Sequence, residues 1–439
     1  MKPSREEDFA KRGAFPSCPT ENGLIFVPLI FELPLASQLQ GVDVILHKVT
    51  DEIISIDTNS SFNFPKGISF TTGMSELQRF LQENSDFCIV DPFSSIYPLL
   101  DRLQIQQILL GLQDFGAQCS CRLRAPHFLK VDNFNDPNLG KQLLEAKLNF
   151  PVIVKPQVAC GVADAHNMAL VFKYEDFANL GVPLPAILQE YVDHCSTIFK
   201  FYVLGDKVFH AVKKSMPNAC VLLSLSEKTG SAPLLFNSLK TLPVAREEQL
   251  PIGTSKAIKE SLDVGLIENA ANWLRERLGL TIFGFDVVIQ EGSGDHVIVD
   301  LNYLPSFKEV PDSDALPAFW DAIRKKYELA KLSVESLSIF LFWNDDGFEE
   351  NDEEGRGRRI SGRGRPTTTE EDESLVLFGE MVRREKEGNL SLLDPISIEF
   401  ERIQGGHNLY KFPSAKRDFL AAAAAAAAAA EPEKNDYDW

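Results

Sequence analysis

Two apolar runs bordered by cation-binding side chains constrain this chain more than any other feature. One is Phe283-Gly284-Phe285-Asp286 leading into Val287-Val288-Ile289, and the other is His296-Val297-Ile298-Val299 leading into Asp300-Leu301-Asn302. The β-branched residues, bounded by the turn-prone Glu291-Gly292-Ser293-Gly294-Asp295, predict a hairpin of two buried strands. Asp286 and Asp300 then lie on neighbouring strands, with Asn302 just beyond. Two carboxylates and an amide oxygen on rigid elements suit a hard cation such as Mg²⁺, which keeps waters and takes its remaining ligands from phosphates. A single acid at a strand end is ordinarily only a cap; the set of three points to a site.

The chain has 439 residues, which predicts about two or three domains. A hydrophobic content of 44% supports a sizeable core. The formal charge of -19 sets the chain against general nucleic-acid binding, because a polyanion binds clustered Lys and Arg. Cys18, Cys88, Cys119, Cys121, Cys160, Cys195 and Cys220 form an odd, scattered set, as expected of reduced thiols in the cytoplasm, with the nucleus as a second compartment. Cys119-Ser120-Cys121 lacks the second pair that would complete a metal set. Met1-Lys2-Pro3-Ser4-Arg5-Glu6-Glu7 has no apolar core, so no secretory leader is expected. No apolar run reaches membrane-spanning length, and a monomer without membrane or nucleic-acid partners is expected.

From Asn22 to about Gly116 strands and helices alternate, which implies an open α/β sheet. Leu24 to Leu29, Val42 to Leu46 and Phe87 to Val90 read as strands; Met74 to Glu83 and Arg102 to Phe115 read as helices, with Asp101 as an N-cap. This domain, residues 1–122, is expected to lack its opening strand, since the chain begins with polar residues. A central subdomain, 123–206, holds the strand-like runs Phe150 to Pro156, Met168 to Phe172, Ala186 to Val192 and Phe199 to Gly205. A third, 207–335, opens on Val208 to Val212 as the hairpin partner across Gly205-Asp206. It contains a helix from Thr254 to Leu278, the opening hairpin, and a closing helix from Leu316 to about Leu332. Residues 344–439 change character: an acidic stretch, an Arg/Gly run from Arg356 to Arg365 and an alanine tract from Ala421 to Ala430 predict a low-complexity, largely disordered tail.

Lys155 ends an apolar strand and precedes the small-residue stretch Gln157-Val158-Ala159-Cys160-Gly161-Val162-Ala163. A Lys fixed there can neutralise phosphate while loop N–H groups approach it, although strand-terminal lysines often reach only solvent. Gln189-Glu190-Tyr191-Val192 fits a linker strand passing a purine base, or equally an ordinary edge strand. The order Lys155, Gln189-Glu190, Asp286, Asp300, Asn302 raises both signals together.

That order resembles the ATP-grasp fold, and specifically the inositol 1,3,4-trisphosphate 5/6-kinase / inositol-tetrakisphosphate 1-kinase family of plant type. The resemblance is carried by Asp43 to Asp51, Val90-Asp91-Pro92 with Leu99-Leu100-Asp101-Arg102, Pro151 to Pro156, Ala165-His166-Asn167-Met168-Ala169, Phe236-Asn237-Ser238, Gly284-Phe285-Asp286 and Asp300 to Pro305. It implies an ATP- and Mg²⁺-dependent transfer of the γ-phosphate to a ring hydroxyl of an inositol polyphosphate, in inositol phosphate and phytate metabolism. By the same resemblance Arg102, Lys155, Gln189, Glu190, Tyr191, Val192, Lys200, Ser215 and Ser238 would contact ATP, and Asp286, Asp300 and Asn302 would hold two Mg²⁺. Arg5, Lys48, His166, Lys200, Lys213 and Asn302 would grip the inositol phosphate, with Lys155, His166 and Lys200 placed at the chemistry. Several Lys and His residues suit a compact polyphosphate whose charges must be met from several directions. Lys213 and Lys214 are read as following a strand.

The chain departs from the family pattern at Cys160, where a His is common, and at Ser306, where a Gly is common; both border the substrate site. Two rival readings are an ATP-grasp carboxylate–amine ligase, which the cluster of positive residues disfavours, and an inositol-phosphate binding protein with impaired catalysis.

Overall fold

A computed structural model describes residues 1–57, 67–85, 87–114, 122–178, 180–229, 233–240 and 262–345. Phe115, Cys119, Cys121, residues 254–261 of the expected helix, and the Arg/Gly and alanine tracts lie outside the described residues.

Helix α1 (Pro3–Lys11) opens the chain, with Pro at the first position, where a missing N–H costs nothing. Strands β1 (Val44–Leu46) and β4 (Cys88–Val90) pair in parallel, Val44 opposite Cys88. Between them run the antiparallel pair β2 (Ile53–Ile56) and β3 (Ile68–Phe70) and helix α2 (Thr72–Glu83). Met74, Leu77 and Leu81 give α2 one apolar stripe, and all three are buried. Helix α3 (Arg102–Leu110) begins as expected on Asp101, whose carboxylate accepts the Leu103 N–H at 2.8 Å.

The stretch Leu24 to Leu29 is not a strand. Its backbone is tied instead to the preceding loop, with Thr20 N–H donating to Leu24 O and Phe26 N–H to Pro16 O, both at 2.9 Å. Pro28 has no N–H to offer a ladder. The alternation that reads as a strand is real in packing: Leu24, Phe26 and Leu29 lie against the core while Ile25 and Val27 face solvent.

Two five-stranded sheets follow. One has the order β12-β8-β7-β9-β6, from β6 (Phe128–Val131), β7 (Val152–Pro156), β8 (Asn167–Val171), β9 (Ala186–Glu190) and β12 (Leu234–Asn237). The other has the order β11-β10-β13-β14-β5, from β5 (Leu123–Arg124), β10 (Thr197–Leu204), β11 (Lys207–Lys214), β13 (Ile282–Ile289) and β14 (His296–Tyr303). The expected boundary at 206 therefore falls inside the β10–β11 hairpin, and the change of sheet lies between Glu190 and Thr197. A hairpin shares one ladder, so it cannot be divided between subdomains. Lys213 and Lys214 end β11 rather than follow it, and Asn302 lies within β14, not beyond it.

Helix α4 (Val264–Leu278) is capped by Asp263, whose side chain accepts from Leu266 N, and stops at Gly279, where φ is +65° and glycine carries no Cβ penalty. Helix α5 (Asp312–Asp345) starts four residues before the expected Leu316 and runs past Leu332. Apolar periodicity begins only at Leu316, whereas the polar first turn with Asp312 and Asp314 is set by the favourable charge at a helix N-terminus. The main core packs the second sheet against α4 and the start of α5: Phe201 and Phe285 stack at 5.1 Å, and Phe9 from α1 meets Phe307 edge-on at 5.3 Å. Truncating either stacked ring to Ala would cost about 3–5 kcal/mol. Met1–Phe342 form one compact unit.

Candidate active site

The pairing of β13 with β14 places Asp286 directly opposite Asp300, and Gly284 opposite Asn302. Period-two alternation puts Asp300 and Asn302 on one face of β14, while Leu301 and Tyr303 are buried on the other. A bulge sits at this point: Asp286 pairs with Asp300 but Val287 pairs with Ile298, which leaves Val299 as the extra residue. Lys155 Nζ, reaching from β7 in the other sheet, donates to the carbonyl of that extra residue at 3.3 Å. The bulge thus supplies the acceptor that holds Lys155 across the gap between the sheets.

Next along the row, Lys200 on β10 pairs with Asp286, and its Nζ donates to both carboxylate oxygens at 3.0 and 2.8 Å. Burial pushes the Asp286 carboxyl above its ordinary value, Lys200 opposes that shift, and the Asp300 charge adds to it. Burial alone would lower Lys200, but the charge and hydrogen bond of Asp286, together with the charges of Asp300 and Glu309, outweigh it and hold the ammonium above its usual range. Two carboxylates facing each other across one ladder call for positive charge, and the seated ammonium demonstrates that Asp286 accepts it. This donor set of oxygens fits Mg²⁺, with Asp286, Asp300 and Asn302 as the groups that would hold it.

The cations of the opposite wall are fixed differently. Lys48, just past β1, donates its Nζ to the Tyr303 carbonyl and lies 4.9 Å from the centre of that ring. Tyr303 in turn donates its hydroxyl to His47 O at 2.9 Å and accepts from Asp91 N at 3.1 Å. The residue after Asn302 therefore joins the first domain to the carboxylate strand. Arg102 donates from Nη1 to the carbonyls of Pro156 and Val158 at 2.6 and 2.7 Å, and from Nη2 to that of Ala159 at 3.2 Å. Its guanidinium clasps the loop after Lys155. Burial drags Lys155 down to about 8, with Asp300 opposing, and drags Lys48 down to about 8, with the Arg5 charge adding to the fall. Cys160 sits among Lys48, Arg102, Asp300 and Asp51, its thiol raised by burial. Gly161 beside it has φ +90°, and a Cβ there would come within 2.7 Å of Ile53, so the loop closes directly onto β2.

His166 places Nδ1 3.0 Å from Ser238 Oγ, and burial together with the Arg102 charge lowers its pKa. Arg5 bonds Asp51 through Nε at 3.1 Å, beside Lys48 in sequence. At the linker, Gln189 is buried on β9, while the Glu190 carboxylate is taken up by both nitrogens of Arg124 at 2.8 and 2.9 Å. The Tyr191 hydroxyl donates to Pro217 O at 2.6 Å. His194 Nδ1 lies 2.6 Å from Val192 O, and its Nε2 lies 2.8 Å from Ser215 Oγ. A ring that donates from Nδ1 accepts at Nε2, so the Ser215 hydroxyl donates, and burial keeps this imidazole neutral.

Lys213 donates to Glu309 at 2.5 Å, and the Tyr202 hydroxyl donates to the same carboxylate at 2.7 Å. Ser306 contributes its main-chain carbonyl, which accepts from Arg12 Nη1 of the first domain at 2.6 Å. The structure thus gathers Asp286, Asp300, Asn302, Lys200 and Lys155 about β14, and brings Lys48 to the same strand. Arg102 serves the loop, and the Glu190 carboxylate faces Arg124. Glu309, Arg12, Tyr303 and His194 escape sequence reasoning. The first two lie near loops whose course is set by left-handed φ at Leu304 and Phe307, which no propensity signals. Among the described residues no cluster of three His, Cys, Asp or Glu forms, and no helix is long and apolar enough to cross a membrane.

Residues 118–320 match the family described as the inositol 1,3,4-trisphosphate 5/6-kinase ATP-grasp domain. Inositol-tetrakisphosphate 1-kinase 6 of Oryza sativa subsp. japonica is 68% identical over 338 residues, which cover 76% of this chain and 61% of that protein. Inositol-tetrakisphosphate 1-kinase 1 of Zea mays is 30% identical over 255 residues, covering 57% of this chain and 72% of that one. The inositol-tetrakisphosphate 1-kinase of Danio rerio is 27% identical over 295 residues, 66% of this chain and 69% of its own length. The chain spans about three fifths of the length of the rice relatives it matches.

Proposed function

This chain belongs to the inositol-tetrakisphosphate 1-kinase / inositol 1,3,4-trisphosphate 5/6-kinase family, with the ATP-grasp fold, and from that premise we propose that it transfers the γ-phosphate of ATP to a ring hydroxyl of an inositol polyphosphate. The observation that carries the reading is the row Lys200–Asp286–Asp300, with Asn302 on the same face and Lys155 reaching in from the other sheet.

The Gln189–Val192 linker would hold the base of ATP, and Lys155 would meet its phosphates. Ser215 and Ser238 are fixed by His194 and His166 to meet it with defined hydroxyl orientations. Bound Mg²⁺ supplies charge neutralisation of the phosphate oxygens, on Asp286, Asp300 and Asn302. A loose phosphoryl-transfer transition state spreads charge over peripheral oxygens, so positioned cations do most of the work and no general base is needed. Lys155 steadies the transferring group. Lys48, Arg5, His166 and Lys200 receive the phosphates of the inositol, and Lys200 exchanges its Asp286 partner for phosphate as charge enters. Arg102 acts on the loop 156–159 that follows Lys155 rather than on the nucleotide alone. Replacing Asp300 by Ala should cut turnover by about 10³-fold or more while far-UV circular dichroism and the melting temperature stay close to wild type; an Asp300→Ala protein of near-normal turnover contradicts the assignment.

A further inference from the structure

Among the cations gathered at the site, Lys213, like Arg5 on Asp51, is placed against a carboxylate that the phosphate chemistry does not require. Glu309, on the loop after β14, accepts from Lys213 Nζ at 2.5 Å and from the Tyr202 hydroxyl at 2.7 Å. Its carboxylate is held below the ordinary range: burial would raise it, and the bonds from Lys213 and Tyr202 outweigh that. Lys200 and Tyr202 are two residues apart on β10 and share a face, so the bond from Tyr202 places Glu309 on the face of the sheet that carries Asp286. Tyr202 pairs with Gly284, itself opposite Asn302, whereas Lys213 pairs with Ile198 beyond Lys200, so the Glu309–Tyr202–Lys213 group flanks Lys200 alongside the row.

Together Glu309 and Lys213 form a wall of zero net charge on the face of the sheet that carries Lys200. A phosphate arriving at this wall meets a fixed carboxylate and must displace it from Lys213. A ring hydroxyl meets an acceptor in Glu309 and keeps the ion pair intact. We propose that Glu309 is a specificity-determining residue: it reserves this edge of the pocket for an unphosphorylated ring position and so selects less phosphorylated inositols. This inference rests on the kinase reading above.

The two members of the pair make opposite predictions. Glu309→Gln keeps an oxygen for Tyr202, removes the repelling charge and frees Lys213, so the ratio of KM for inositol pentakisphosphate to KM for inositol trisphosphate should fall by about tenfold. Lys213→Gln leaves Glu309 unneutralised and should raise the same ratio, while Glu309→Asp should restore a ratio near that of the wild type. Purified full-length chain, ATP, Mg²⁺ and the two inositol phosphates at several concentrations give the KM values directly. Ratios that stay fixed, or that move in the same direction in Glu309→Gln and Lys213→Gln, overturn the proposal, because a structural prop would weaken both substrates alike. Should one variant fail to fold, the sign of the other still decides. If the wild type transfers phosphate to neither inositol phosphate, the kinase reading fails first; if it does transfer and the ratios do not move, only this inference fails.

Discussion

The cleft holds two sets of cations, and they are anchored to different partners. Lys200 and Lys213 rest on carboxylates, Asp286 and Glu309. Lys48, Lys155 and Arg102 rest on main-chain carbonyls: Tyr303, Val299 and the loop 156–159. A carbonyl dipole orients a cation without cancelling its charge, so the second set keeps its charge for a polyanion, at the cost of a depressed pKa in the free protein. A carboxylate neutralises its cation, so the first set must exchange partners before it can bind phosphate. In the proposed kinase reading the carbonyl-held set would provide standing attraction, and the carboxylate-held set would provide discrimination.

That contrast is sharpest at Lys155. Its replacement by Met removes an uncancelled charge from a buried site, and kcat should drop by about 10²–10³-fold with a smaller change in KM for the inositol phosphate; steady-state kinetics checks this. An equal loss from Lys213→Met would erase the distinction between the two sets.

The pH dependence separates them next. Lys48 and Lys155 titrate at about 8 when folded and at ordinary lysine values when unfolded, so with both needed in the charged form kcat/KM should fall about tenfold for each, about 100-fold together, between pH 7 and pH 9. The sign for stability is opposite. Between about 8 and the ordinary lysine value the unfolded chain binds more protons at these positions, so their contribution to stability rises with pH through that window. Denaturant unfolding of the free protein at a series of pH values measures it. Binding of a polyanion at pH 8.5 should take up protons, which calorimetry in buffers of different ionisation enthalpy reports.

Arg102→Met leaves three loop carbonyls without their shared donor and should destabilise the protein by about 3 kcal/mol. Partial rescue of ATP affinity by added guanidinium would show that the lost element is the clasp. The smallest effect is expected at Arg12, whose guanidinium bonds the Ser306 carbonyl and Asp312 and lies 4.9 Å from the Phe307 ring. Arg12→Ala should cost about 1 kcal/mol in denaturant unfolding.

Legibility in the sequence follows the same division. Asp286, Asp300 and Asn302 can be read because strand period and hairpin chemistry fix where side chains on a ladder go. The β13–β14 pairing bore this out, and it tightened the expectation by placing Asp286 opposite Asp300. The fold and family were legible because Lys155, the linker and the carboxylates keep one order along the chain. What escaped the sequence depends on the bulge at Val299, the left-handed φ at Leu304 and Phe307, and ion pairs between distant segments such as Lys213 with Glu309 and Arg124 with Glu190. Each is set by tertiary contact, and none leaves a periodic trace. The expected strand at Leu24–Leu29 failed for a related reason: alternation reports which side chains are buried, whereas a strand also needs a partner for its backbone.

The site is proposed to move phosphate onto an alcohol. The full chain should be incubated with γ-labelled ATP, Mg²⁺ and a panel of inositol tris-, tetrakis- and pentakisphosphates, and the products separated by anion exchange. Label is expected in a more highly phosphorylated inositol, with ADP formed in equal amount. Label found only in free phosphate, or ATP consumed only when a carboxylate and an amine are supplied together, would contradict it.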